Sequence, residues 1–207
     1  MNESVEVSVF PLTRMTLFPT TTKPLNIFEP RYLQMVEDAL ASNGLIALAF
    51  AEPASPKAVE VGVAGRLRSI AGVGRVRLLE RRDDGTLLIL LEAIGKVLFE
   101  TMIEDQGPYL RAQATWLQEE KTLASENIFI LNRLTRDLEH WLQKHVTDEE
   151  AREQFLEKLE TPEEKINAVC SLMVLDSDVQ QELLELDSIN ERCALLAMSI
   201  ESEGMAQ

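Results

Sequence analysis

Six arginines, Arg66, Arg68, Arg75, Arg77, Arg81 and Arg82, fall within 17 residues, and concentrated guanidinium charge is what phosphate recognition needs. Arg66 and Arg68 are two apart, as are Arg75 and Arg77, so on strands each pair shares one face. Nucleic acid is the ligand such a face would suit. Against it, the cluster is almost bare of aromatic side chains for base stacking, and the chain carries a formal net charge of −15. A solvated outer face, salt-bridged to acidic helices, is the competing account and the stronger of the two.

The second candidate is Phe10-Pro11-Leu12-Thr13-Arg14-Met15-Thr16-Leu17-Phe18-Pro19. Prolines interrupt backbone pairing, so apolar side chains between them are candidates for display, and methionine suits adaptable binding. Arg14, Met15, Leu17 and Phe18 are the candidate contact residues of this patch. In the competing account Leu12, Leu17 and Phe18 cap the end of a core.

Other chemistry is missing from the sequence. Gly95-Lys96 lacks the first glycine and the hydroxyl residue of a phosphate-binding loop, and no third glycine follows Gly72-Val73-Gly74. His140 and His145 are five apart, about 140° around a helix, where a zinc pair needs i, i+4 spacing. No serine sits in a nucleophile-elbow pattern. The expectation is no catalytic residue, no metal and no cofactor.

The elements that would position these residues change character along the chain. Residues 1–103 carry 11 basic and 12 acidic side chains, whereas residues 104–207 carry 9 and 23, so the two parts present different surfaces. Val5, Val7 and Val9 alternate with polar residues, Leu45 to Ala51 reads as a fully buried strand, and Tyr109 to Leu117 as a last strand. Asp84-Gly85 between Arg75–Arg82 and Thr86–Ile94 is a hairpin signal. Glycines 62, 65, 72 and 74 predict bends or bulges in long strands. From about residue 122 the apolar period becomes helical, with Ile130, Leu131, Leu134, Leu138, Trp141, Leu142 and Val146 on one stripe. Thr147 with Glu150, Thr161 with Glu164, Asp178 with Gln181 and Ser188 with Glu191 match capping-box spacing. Cys170 and Cys193 lie in apolar helical patterns and read as buried free thiols. No apolar run approaches the roughly 20 residues that span a bilayer, and the acidic N-terminus does not read as a signal peptide.

One segment is more specific. In Pro24-Leu25-Asn26-Ile27-Phe28-Glu29-Pro30-Arg31-Tyr32 a short apolar run ends where a helix begins. Pro30 fits the first turn of that helix and Asn43-Gly44 its stop. With Val61-Gly62-Val63-Ala64-Gly65, Leu91-Glu92-Ala93-Ile94-Gly95 and Pro108-Tyr109-Leu110, it resembles the N-terminal, substrate-binding domain of Lon-type ATP-dependent proteases over roughly the first 115 residues. The helical remainder is also similar to the region next along the chain in that family.

The resemblance implies an α+β fold: a PUA-like, partly open β-barrel over residues 1–118 with one packed helix, then an α-helical bundle over residues 119–207, on or next to the barrel. It also implies binding of unfolded polypeptide segments or of a protein partner, with Arg14, Met15, Leu17 and Phe18 the first place to look. The chain ends before the ATPase and peptidase modules of full-length Lon, so the expectation is a non-enzymatic, cytoplasmic protein, with an adaptor role in protein quality control. PUA-like barrels elsewhere bind RNA, which keeps Arg66, Arg68, Arg75 and Arg77 as the alternative site. No membrane partner is expected, and the sequence assigns no oligomeric state.

Overall fold

In a computed structural model, which describes residues 3–52, 67–104 and 107–204, the chain divides into two compact units, residues 1–118 and 119–207. The first is built on a mixed sheet. Strand β1 (Ser4–Leu12) buries Val7 and Val9 and leaves Ser4 and Glu6 exposed, as its alternation predicts. β2 (Thr22–Ile27), β3 (Leu45–Phe50), β4 (Ile70–Arg81), β5 (Leu87–Met102) and β6 (Leu110–Leu117) come next, with helix α1 (Pro30–Ala41) between β2 and β3. The order is β2-β5-β4-β3-β1-β6, and β6 also pairs with β5, so the pairings from β5 through β4, β3, β1 and β6 return to β5. Among the described strands only β1 and β3 pair in parallel; the other pairs are antiparallel.

Every residue of β3 is buried, and the reason lies in two clusters, one on each face. Ile46 and Leu48 join Leu17, Ile27, Met35, Val36, Ile89 and Leu91. The alternate residues Ala47 and Ala49 join Val7, Val9, Val73, Val97, Ala112 and Ala114. A strand covered on both faces reads as a continuous apolar run. The turn Arg82–Thr86 joins β4 to β5, with Gly85 at φ 84° and its N–H donating to the Arg82 carbonyl at 2.9 Å. Among the described residues β2 pairs with β5 alone, an edge position that tolerates Pro24 and its missing N–H.

The second unit holds helices α2 (Ile128–His145), α3 (Glu149–Glu157), α4 (Pro162–Leu172), α5 (Ser177–Glu185) and α6 (Ile189–Gly204). Leu131, Leu134, Leu138 and Leu142 form the buried stripe of α2. α4 packs against α2, α5 and α6, so five consecutive residues, Ile166 to Cys170, are buried. Its start is the capping box the sequence predicts: Thr161 accepts from the Glu164 N–H while the Glu164 carboxylate accepts from the Thr161 N–H. Two other starts differ from the predicted caps. Asp148, not Thr147, caps α3, and Asp176, not Asp178, caps α5. A carboxylate is as good a cap as a hydroxyl, and spacing alone does not choose between neighbours.

Residues 119–127 are stitched to the start of α6. Glu120 bridges Ser188 in parallel, the Glu120 carboxylate accepts from the Ser188 hydroxyl at 2.9 Å, and the Asn190 amide reaches the Ala124 N–H and the Thr122 carbonyl.

Candidate functional site

In the first unit α1 is fixed by one acidic pair. Glu37 receives a two-pronged contact from Arg81 of β4. Asp38 accepts from the Tyr109 hydroxyl at 2.8 Å and from the Gln34 amide at 2.7 Å. Arg81 holds the Glu37 carboxyl below the ordinary glutamate value. Burial, and then the Asp38 carboxylate, push the Tyr109 phenol up. The helix closes with the Gly44 N–H donating to the Ala39 carbonyl at 2.9 Å. Beside this end of α1 lies an open cleft of about 490 Å³, lined by β1, the α1 terminus, Tyr109 and Arg111.

At the other end of α1, Phe10 and Tyr32 pack ring to ring at 4.4 Å, and the Arg31 guanidinium lies 4.6 Å above the Tyr32 ring. Glu29 pairs with Arg31 at 2.8 Å. Leu25 and Ile27 are buried, but Phe28, at the end of the same apolar run, is 68% exposed. The strand alternation turns it outward with Thr22, Pro24 and Asn26.

The predicted apolar patch does not stay together at the surface. Leu17 and Phe18 are fully buried, Met15 is half-buried against the core, and only Arg14 of the four is exposed. The segment is laid across β4: a Cβ on Gly72 would lie 1.8 Å from the Leu17 carbonyl oxygen. Arg14 and Thr20 take φ of 60° and 65° where the chain enters and leaves this crossing. Full burial of a large apolar side chain contributes about 1.5–3 kcal/mol, so Leu17 and Phe18 act as core.

Arg66 lies outside the described residues, as do Gly62, Gly65 and the stretch 61–65. Arg75 and Arg77 share an outward face, alternating with buried Val76. The described arginines of this cluster each have an acceptor within their own unit. Arg77 pairs with Glu92 at 3.1 Å, Arg68 with Glu52 at 3.9 Å and Arg82 with Glu80 at 3.4 Å, while Arg75 donates to the Asn43 carbonyl at 3.3 Å. That arrangement offers phosphate a largely neutralised surface. In the second unit His145 stacks on Trp141 at 4.2 Å. Among the described residues no helix is long and apolar enough to cross a membrane.

Sequence reasoning misses Phe28 and the Asp38–Tyr109 cleft. Period-2 alternation through Leu25, Ile27 and the exposed positions between them is the available signal for the first; a contact between residues 71 apart leaves none for the second.

The family described as the ATP-dependent protease La (Lon) substrate-binding domain matches residues 6–201. The Lon protease of Brevibacillus choshinensis is 25% identical over 200 residues, covering 96% of this chain and 25% of that protein. The Lon protease of Escherichia coli K12 is 24% identical over 204 residues, covering 98% and 25%. The chain thus spans about a quarter of the length of these relatives. Among solved structures, the N-terminal domain of the Mycobacterium avium complex Lon protease aligns with a TM-score of 0.71 at 17% identity, covering 95% of this chain and 97% of that one. The Lon N-terminal domain protein of Xanthomonas campestris aligns with a TM-score of 0.68 at 18% identity, covering 93% and 96%. With an α+β fold shared with these domains and a family match running nearly end to end, the chain belongs to the Lon substrate-binding domain family.

Proposed function

We propose that this chain is a non-catalytic module that binds unfolded polypeptide segments and serves as a cytoplasmic adaptor in protein quality control. The observation that carries the reading is the match of residues 6–201 to a family described as substrate-binding. The closed circuit of strand pairings supports a PUA-like, partly open barrel for residues 1–118, and the mutual packing of α2, α4 and α6 supports a bundle for residues 119–207. Within the first unit the contact surface centres on Phe28, the most exposed large apolar side chain among its described residues. Of the four candidate residues between Phe10 and Pro19, Arg14 and Met15 remain available, with Leu17 and Phe18 supporting them from below.

The test is fluorescence anisotropy of a labelled, reduced and carboxymethylated polypeptide titrated with the full chain. Saturable binding should weaken by less than about threefold between roughly 50 and 500 mM salt, because apolar burial is screened little. Phe28→Ser should weaken it by about tenfold, the worth of one buried aromatic contact. Absence of saturable binding to polypeptide overturns the reading. So does tight binding to single-stranded RNA that collapses with salt, the behaviour of phosphate contacts.

A further inference from the structure

We infer that the cleft at the C-terminal end of α1 is a subsite for a basic side chain, the ammonium of lysine or the guanidinium of arginine, on the bound polypeptide. The inference rests on the polypeptide-binding reading and adds to it a preference among segments.

The cleft's volume of about 490 Å³ falls within the roughly 300–1,000 Å³ of small-ligand sites. Its lining is polar, and its charges are unequally matched. Glu6 and Arg111 pair at 2.7 Å and cancel. Asp38, the other carboxylate, receives the Tyr109 hydroxyl and the Gln34 amide, both neutral donors. These leave its charge intact, and each of its oxygens retains acceptor capacity.

The helix adds to this. The last carbonyls of α1 end at the cleft, where the Ser42 hydroxyl donates to the Asp38 carbonyl at 2.7 Å, and a helix C-terminus favours a cation. The Ser8 side chain, also on the wall, hydrogen-bonds Tyr109 and helps to hold that phenol beside Asp38. An anion would meet two carboxylates and an arginine already engaged. A neutral apolar side chain would desolvate Asp38 with nothing in return. A lysine or arginine head brings donors to the Asp38 oxygens while its methylene stem crosses the rim.

The test uses two labelled peptides of one sequence, identical except that a central lysine is replaced by norleucine. Wild-type chain should bind the lysine peptide about tenfold more tightly, the scale of one charge-assisted hydrogen bond. Asp38→Asn should abolish that difference while leaving the norleucine peptide's affinity unchanged. Asn43→Lys, an exposed change at the cleft wall, should do the same without touching the Tyr109 contact. Phe28→Ser should weaken both peptides equally.

Butylammonium alone, titrated into labelled full chain, should shift the backbone amide resonances of Ser42, Asn43 and Tyr109, whereas butanol should not. If neither peptide binds but butylammonium gives those shifts, the cation subsite stands and the polypeptide reading falls. Equal affinity for the two peptides, or a lysine preference that survives Asp38→Asn, overturns the subsite.

Discussion

Arg192 and Glu119 form an ion pair in which the guanidinium is wholly buried and the carboxylate is 4% exposed. The rest of the arginine fork is used as well. It donates to the Leu183 carbonyl at 2.8 Å, the Asn167 amide oxygen at 2.8 Å and the Leu186 carbonyl at 3.2 Å. One side chain of α6 therefore holds the first residue of the second unit, α4 and the end of α5 together. A buried ion pair adds little stability relative to apolar packing, but removing one partner leaves the other's buried charge without this counter-charge.

Glu119→Ala should accordingly lower stability by about 3–5 kcal/mol. The readout is the urea midpoint followed by Trp141 fluorescence in a Trp116→Phe background. Adding Arg192→Met to Glu119→Ala should restore part of the loss, since the stranded charge goes too. A single variant as stable as wild type would show that the pair is dispensable.

Gly72→Ala should cost about 3 kcal/mol, at the upper end of overpacking changes. The atom in its way is the Leu17 backbone oxygen, which moves only if the whole 13–20 segment moves. Gly85→Asn is the matched control: its φ of 84° suits asparagine, and a Cβ there meets nothing within 4 Å. Urea midpoints followed by Trp116 fluorescence in a Trp141→Phe background should separate the two sharply.

The α4 capping box carries an acid dependence. The Thr161 backbone N–H, with its hydroxyl, holds the Glu164 carboxyl below the usual 4.5. A depressed folded pKa contributes stability that is fully present above 4.5 and is lost as pH falls through the lower, folded value. Glu164→Gln should therefore melt below wild type at pH 6, and the gap should narrow as the pH is taken down to about 3. A gap that stays constant or widens on acidification would contradict this assignment.

The thiols should be silent toward alkylation in the native state. Burial pushes Cys170 up to about 12 and raises Cys193 as well. Thiolate is the reactive form, so labelling at pH 8 should require opening of the helical unit. Iodoacetamide incorporation should then rise with sub-denaturing urea in proportion to the unfolded population. Rapid labelling without urea would show that one of the two is accessible.

What the sequence reveals is local. Pro30 at the α1 start, Asp84-Gly85 at the hairpin and Thr161 with Glu164 at α4 each carry their structural reason within four residues of chain, and each is found where expected. The misreadings share a different character. Leu17 and Phe18 look displayable until β4 is placed beneath them. The arginine face does carry salt bridges, two of them to Glu92 of β5 and Glu37 of α1, partners that sequence spacing does not name. β2 escapes recognition because proline argues against a strand unless that strand lies at an edge, and edge status depends on the whole topology. Arg192 sits in an apolar helix face that reads as ordinary core, with a partner 73 residues away.

The pairing of β1 with β6 joins the first and last strands of the sheet, and this sets an order on events in time. A nascent chain emits β1 long before β6, and at about 5–20 residues per second the last strand emerges roughly 5–20 s later. Until then β1 can pair only with β3, its valine face lacks the alanines of β6, and β5 lacks one of its three neighbours. Folding of the first unit is thus delayed until its end is synthesised, and that interval is when the growing chain most needs a chaperone.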